Sequence, residues 1–144
     1  MKLLISACLL GVDCRYDGGT KPLDKGVISA LMSKYELVPV CPEMLGGLPS
    51  PRLPSERLGD RIVSSAGDDV TDSFLRGARQ ALHLAELFGC KIALLKERSP
   101  SCGSGEIYDG TFSGRLVPGD GAAAALLSQA GIEIFGESRV NELL

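Results

Sequence analysis

The sequence contains no tryptophan, a single histidine and no excess of basic residues. With 15 Lys and Arg against 18 Asp and Glu, the net charge of -3 excludes a polybasic surface for nucleic acid. One histidine, His83, cannot build a metal site from two or three histidine ligands. No apolar run approaches the ~18 residues of a membrane span, and the run before Cys8 is too short for a signal peptide. We therefore expect a cytoplasmic protein with no nucleic-acid or membrane partner.

The chain has five cysteines, an odd number, in 144 residues. Reducing conditions in the cytoplasm keep thiols free, so this set indicates metal or redox chemistry rather than a disulfide framework. A composition of 44% hydrophobic and 23% charged residues is ordinary for a globular protein. The length suits one domain with its own core, and we expect residues 1–144 to form it.

Apolar runs that read as strands alternate with helical patterns along the chain. Strands are expected at residues 2–8, 35–41, 91–96 and 132–135, and helices at 24–33, 69–88 and 122–130. A long excursion covers 44–69 with a short edge strand at 61–64, and a β-hairpin with a tight Asp109-Gly110 turn is expected at 106–117. This alternation predicts a three-layer α/β fold with a mostly parallel sheet and a small β-hairpin insertion.

Three cysteines, Cys8, Cys41 and Cys102, fall at or just past the ends of expected strands. Ligands of open α/β sheets bind outside the carboxyl ends of the strands, so these thiols can converge on one crevice. Without a histidine partner or a Cys-x-x-Cys pair they fit structural zinc poorly and an iron–sulfur cluster better. A [4Fe–4S] cluster on three cysteines leaves one iron free to bind a soft sulfur as a Lewis acid. The alternative is that all three are small, buried packing residues.

Polar side chains accompany two of these cysteines. Glu43 lies two residues after Cys41, and Ser99 and Ser101 precede Cys102. A carboxylate beside hydroxyls in a crevice suits proton transfer. The alternative is a solvated Glu43 and serines that only cap a turn.

Three groups of residues stand out when taken together. They are Cys8-Leu9-Leu10-Gly11 followed by Arg15-Tyr16-Asp17-Gly18, then Cys41-Pro42-Glu43, and then Ser99-Pro100-Ser101-Cys102-Gly103. In this order they resemble the thiouracil desulfidase (TudS) family, formerly domain of unknown function 523. The resemblance implies a Rossmann-like domain and an oxygen-sensitive [4Fe–4S] cluster on cysteines that match Cys8, Cys41 and Cys102.

The resemblance also implies an enzyme that carries out a non-redox desulfuration. The sulfur of a thiolated uracil base or nucleotide (2-thiouracil or 4-thiouridine monophosphate) binds the unique iron, water replaces it at carbon, and sulfide is released. A glutamate matching Glu43 assists, with a serine matching Ser99 or Ser101; sequence does not decide between the two, nor between base and nucleotide. The partner is thus a small thiolated pyrimidine, and the protein a monomer or homodimer.

Other polar residues near the expected crevice carry weaker expectations. A substrate phosphate could be held by basic residues there, with Asp17 as a further substrate contact; these basic residues are Arg15, Lys21, Lys96 and Arg98. Cys14 is either an extra ligand or redox partner or an ordinary loop residue, and Cys90 belongs to the core. Two other functions stay open: a non-enzymatic zinc, iron–sulfur or persulfide-binding module, and a nucleotide-binding regulatory domain.

Overall fold

A computed structural model describes residues 1–144. The strands are β1 (Lys2–Ser6), β2 (Glu36–Val40), β3 (Ser55–Leu58), β4 (Arg61–Ser64), β5 (Ile92–Leu95), β6 (Glu106–Tyr108), β7 (Leu116–Pro118) and β8 (Glu133–Gly136). The helices are α1 (Lys25–Lys34), α2 (Pro42–Leu45), α3 (Thr71–Phe88) and α4 (Ala122–Gln129). Two 3-10 segments, Ala7–Leu10 and Glu137–Leu143, complete the fold.

The central sheet has the order β2-β1-β5-β8, and all its neighbouring strands are parallel. Alternate residues of β1 enter different apolar clusters, because successive side chains of a strand point to opposite faces. Leu3 and Ile5 pack with Leu31 of α1, whereas Leu4 packs with Ala85 of α3 and with α4. The sheet is therefore covered on both sides, which confirms the three-layer α/β expectation.

The first strand is shorter than the sequence pattern predicts. It ends at Ser6, whose hydroxyl accepts the backbone N–H of Lys96 at 2.9 Å, and a 3-10 turn follows. Cys8 thus lies in the turn beyond the strand, while Cys41 directly follows β2. Both thiols are at the carboxyl edge of the sheet.

Two antiparallel hairpins lie outside the central sheet, β3–β4 and β6–β7. The excursion at 44–69 was expected to hold only an edge strand, but β4 pairs with β3. The predicted tight turn at Asp109-Gly110 is wrong, because the Asp109 N–H donates to the carbonyl of Arg115 at 3.0 Å and closes a longer loop over 109–115. Asp109 instead accepts hydrogen bonds from Thr111 within that loop.

Two helix ends follow ordinary capping rules. Asp24 accepts the N–H of Gly26 at 2.8 Å and caps α1 as predicted. Gly89, at φ 72°, ends α3 in the left-handed conformation that glycine adopts most easily. None of the helices combines the length and apolar composition that a membrane crossing needs.

Candidate active site

A cavity of about 650 Å³ opens at the carboxyl edge of β1, β2 and β5. It is lined by four of the five cysteines, Cys8, Cys14, Cys41 and Cys102. The fifth, Cys90, is buried in the apolar cluster under α3 and α4, as predicted. The three thiols expected at strand ends therefore share one crevice, although Cys102 lies in the loop after β5, seven residues beyond Leu95. Cys14 was expected to be either an extra ligand or redox partner or an ordinary loop residue. It lies in the same wall and is 3% exposed.

The loop that carries Cys41 and Glu43 is fixed from below by helix α3. Pro42 begins the short helix α2, where its missing N–H costs nothing. This helix lies so close to α3 that a side chain on Gly77 would overlap the carbonyl oxygen of Pro42. A side chain on Gly46 would likewise overlap the carbonyl oxygen of Ser73. The backbones of α2 and α3 are in direct contact here, and this contact fixes the position of Cys41 and Glu43 relative to α3.

The loop Ser99–Gly103 is fixed by the first turn of α4. The N–H groups at a helix start lack partners within the helix. Here they donate to the loop, Gly121 to the carbonyl of Gly103 at 2.7 Å and Ala123 to that of Ser101 at 2.8 Å. A Cβ on Gly121 would lie 2.6 Å from the Ser101 oxygen, so only glycine fits.

These two loops bring the Glu43 carboxylate to both serines. Its Oε2 accepts a hydrogen bond from Ser101 Oγ at 2.9 Å and from Ser99 Oγ at 3.4 Å. Its Oε1 accepts from Nε of Arg52 at 3.0 Å, an ion pair with little exposure. Ser99 Oγ also accepts the N–H of Ser101 at 3.1 Å and that of Cys102 at 3.2 Å. Ser99 therefore closes the turn, while Ser101 points its hydroxyl at the carboxylate.

Burial favours the neutral form of three of the cavity thiols. Burial raises the pKa of Cys8 to about 11, and that of Cys14 and Cys102 to about 12. For Cys8 and Cys14 the second cause is Cys41, because a neighbouring thiolate disfavours another negative charge. A bound metal centre reverses this, since coordination deprotonates a thiol.

The donor set suits a multinuclear centre. No group of three or more His, Cys, Asp or Glu side chains is arranged to hold a single metal ion. Three thiols around one cavity fit an iron–sulfur cluster, whose cysteine ligands bind different iron atoms and do not meet at one point.

The basic residues expected near the crevice all line the cavity, namely Arg15, Lys21, Lys96 and Arg98. Lys96 is already paired with Glu137, with Nζ to Oε1 at 2.6 Å. Asp17 is not in the cavity wall. It pairs with Nη1 of Arg15 at 3.3 Å and accepts the N–H of Gly19 at 2.9 Å, so it braces the loop behind Arg15.

A family model described as 2-thiouracil desulfurase matches residues 3–139. The chain belongs to this family. The match spans nearly the whole chain and confirms the resemblance seen in the three motifs, and with it the expectation of an enzyme.

Two relatives of the desulfurase family extend the comparison. YbbK of Bacillus subtilis (strain 168), an uncharacterized protein, is 41% identical over 152 residues, which cover 99% of this chain and 99% of that protein. A solved structure described as the [4Fe-4S]-dependent thiouracil desulfidase TudS is 48% identical and covers 99% of this chain and 94% of its own. The TM-score of 0.94 to that structure confirms the fold.

Several residues of this desulfurase-family cavity were given no role by the sequence. They are Arg52, Glu56, Tyr16, Tyr108 and Phe112. Arg52 sits among prolines in the long excursion, and an arginine held in a proline-rich loop is the one local signal that could have indicated it. Tyr16 stood inside a quoted motif without a role. Glu56 and Phe112 meet only in the folded chain, so neither stands out in the sequence.

Proposed function

We propose that this protein is a [4Fe–4S]-dependent desulfidase that removes sulfur from a thiolated uracil base or nucleotide and releases it as sulfide. One observation supports this most directly: three strand-end thiols, a carboxylate and a serine line the same cavity. Family membership and the solved relative, a [4Fe-4S]-dependent thiouracil desulfidase, agree with it.

The proposed cluster ligands are Cys8, Cys41 and Cys102. When bound, such a cluster supplies an iron without a protein ligand, a Lewis acid for the thiocarbonyl sulfur. Cys14 is left outside this set, because the three motifs that resemble the family contain Cys8, Cys41 and Cys102 and do not contain Cys14. The net reaction exchanges sulfur for a water oxygen at carbon and needs no electrons.

Glu43 is proposed as the group that accepts a proton from the attacking water. Arg52 holds one carboxylate oxygen at 3.0 Å and leaves Oε2 for proton transfer. Of the two serines, Ser101 has the shorter hydrogen bond to Oε2, 2.9 Å against 3.4 Å, and is 2% exposed. The hydrogen bonds of Ser99 to the loop backbone support an orienting role for it. We therefore propose Ser101 as the catalytic serine.

The cationic mouth favours a nucleotide over a free base. Arg15, Lys21 and Arg98 supply positive charge to the cavity wall, and a phosphate is the anion that such side chains bind. A volume of about 650 Å³ lies within the ~300–1,000 Å³ usual for small-molecule sites.

The cellular setting follows from the same cysteines. All five are free thiols in the structure. We propose a cytoplasmic protein in which residues 1–144 form one domain, because reducing conditions preserve both the thiols and the cluster.

The deciding experiment is anaerobic reconstitution with iron and sulfide, followed by an assay of sulfide release. We expect a brown protein that converts 2-thiouracil or 4-thiouridine monophosphate to the oxygen analogue, faster for the nucleotide. A wild-type protein that takes up zinc but no iron, or an iron-loaded protein that releases no sulfide from either compound, would contradict the proposal.

A further inference from the structure

The proposed chemistry makes no use of the rim loop, residues 109–115 between β6 and β7. At its centre Phe112 lines the cavity and remains 39% exposed. Its φ of 56° lies in the left-handed region, which a bulky aromatic residue rarely adopts. Strained backbone of this kind clusters at ligand-binding positions, where the surrounding structure enforces it.

A buried carboxylate enforces this conformation. Glu56, on β3, is 9% exposed, and its Oε1 accepts the N–H of Gly110 at 3.0 Å and that of Phe112 at 3.1 Å. Gly110 packs against β3 so closely that a Cβ would lie 2.9 Å from the carbonyl oxygen of Arg57. The Glu56 carboxyl group therefore fixes the backbone of the rim loop, and with it the position of the exposed Phe112 side chain.

The side chains of the cavity wall indicate which kind of ligand Phe112 would contact. Phe112 shares the cavity with Tyr108 and Tyr16, so the rim carries aromatic faces above a polar floor of thiols, Glu43 and serine. Planar heterocycles stack on such faces, and every nucleobase has a π-face that can do so.

We propose that Phe112 is the surface on which the pyrimidine ring of the substrate stacks, and that Glu56 is the positioning residue that holds it. This assignment rests on the proposed function for the identity of the ring. It adds a recognition site on the β6–β7 hairpin, separate from the groups that act on the sulfur.

The absence of tryptophan provides a direct test. In cluster-loaded Phe112→Trp protein, uracil and uridine monophosphate are titrated against the single tryptophan emission. Phe88→Trp is the matched control, because Phe88 is similarly exposed, 43%, but lies at the end of α3 and not in the cavity wall. We expect saturable quenching in Phe112→Trp and none in the control; an unresponsive Phe112→Trp overturns the proposal.

Separate measurements of KM and kcat test the same assignment. Phe112→Ala should raise KM about tenfold, as expected from the loss of one base–aromatic stack, with iron content and kcat nearly unchanged. Phe112→Tyr should retain the wild-type KM. Glu56→Ala should reproduce the KM effect, and Glu56→Gln, which keeps the accepting oxygen, should rescue it. A wild-type KM in Phe112→Ala contradicts the proposal whatever Glu56 does.

The two proposals fail in different ways. If the Phe112→Trp emission is quenched by uracil but no variant releases sulfide, the ring site stands and the desulfidase does not. If sulfide is released while Phe112→Ala keeps its KM and Phe112→Trp stays silent, the reverse holds.

Discussion

The floor and the rim of the cavity are held in place by different means. The floor consists of the turn with Cys8, the segment 41–43 at the start of α2 and the loop 99–103. The last two rest backbone to backbone on α3 and α4, at Gly77 and Gly121. The rim loop, 109–115, depends on the side chains of Glu56 and Asp109 for its hydrogen bonds. Close backbone packing and hydrogen bonds from the start of α4 hold the floor, whereas the rim loop packs closely on β3 at Gly110 and is otherwise held by side-chain hydrogen bonds near solvent.

This difference matches what each region is proposed to do. Proton transfer and cluster binding require atoms held within a fraction of an ångström, and close-packed interiors supply that rigidity. Stacking on a ring tolerates sliding and tilting, so a loop held by hydrogen bonds is sufficient. Changes to the floor should therefore abolish chemistry, whereas changes to the rim should alter binding.

The largest effect is expected from the thiols of the floor. Cys102→Ser should lose nearly all iron and acid-labile sulfide after anaerobic reconstitution, because a hydroxyl does not replace a thiolate ligand. Cys90→Ser, a buried thiol away from the cavity, is the matched control and should load normally. Cys14→Ser should also keep its cluster. Iron loss in Cys14→Ser with retention in Cys102→Ser would reverse the proposed ligand set.

Removing the proton acceptor should stop turnover while sparing the cluster. Glu43→Gln is expected to lower kcat by about 10²–10⁴-fold with unchanged iron content, since positioned acid–base groups contribute that much. Ser101→Ala should lower kcat more than Ser99→Ala, because Ser101 makes the 2.9 Å hydrogen bond to the carboxylate. Equal losses in the two serine variants would contradict the assignment of Ser101.

The packing beneath the floor can be tested without touching a site residue. Gly77→Ala forces a methyl group onto the carbonyl of Pro42, and overpacking of this kind costs about 1–3 kcal/mol. Gly26→Ala is the matched control: its Cβ would meet only the Asp24 side chain at 3.2 Å, and helix propensity favours the change by up to ~1 kcal/mol. The free energy of unfolding, measured by chemical denaturation, and the rate of sulfide release should both fall for Gly77→Ala. Neither should fall for the control.

The sequence was sufficient for the strands and helices of the central fold and for the thiols, Glu43 and the serines of the floor, but not for Arg52. Strand-end thiols such as Cys8 and Cys41 were predictable because a buried parallel strand reads as a continuous apolar run, and its carboxyl end is where ligands bind. The four parallel strands and the three long helices follow from the same patterns.

The rim was not predictable in this way. The Glu56–Phe112 contact joins residues 56 apart in the chain, and no local pattern reports it. Asp109-Gly110 matches a tight turn by composition, but the hydrogen bonds of Thr111 and Arg115 extend the loop. Arg52 becomes a site residue only because α2 brings Glu43 to it. Hydrogen bonds between distant parts of the chain determine these features, so local sequence patterns do not predict them.

The smallest effect is expected from the hydrogen bonds within the rim loop. The hydroxyl and N–H of Thr111 hold the pKa of the Asp109 carboxyl below its ordinary range. A depressed folded-state pKa contributes stability that is present above the unfolded-state pKa and lost as the pH falls through the folded one. Thr111→Val removes the hydroxyl but keeps the N–H, so the pKa of Asp109 should rise part of the way, as measured by NMR titration.

Because Asp109 lies in the rim loop and outside both apolar clusters, this variant should lower global stability by no more than the small net contribution of one exposed hydrogen bond, leave kcat unchanged and shift KM at most a few-fold. The comparison with Gly77→Ala is then direct. One added methyl under the floor should lower both stability and sulfide release, whereas one lost hydroxyl in the rim should weaken only substrate binding. A large loss of kcat in Thr111→Val would mean that the rim loop takes part in the chemistry and that the two regions are not separate.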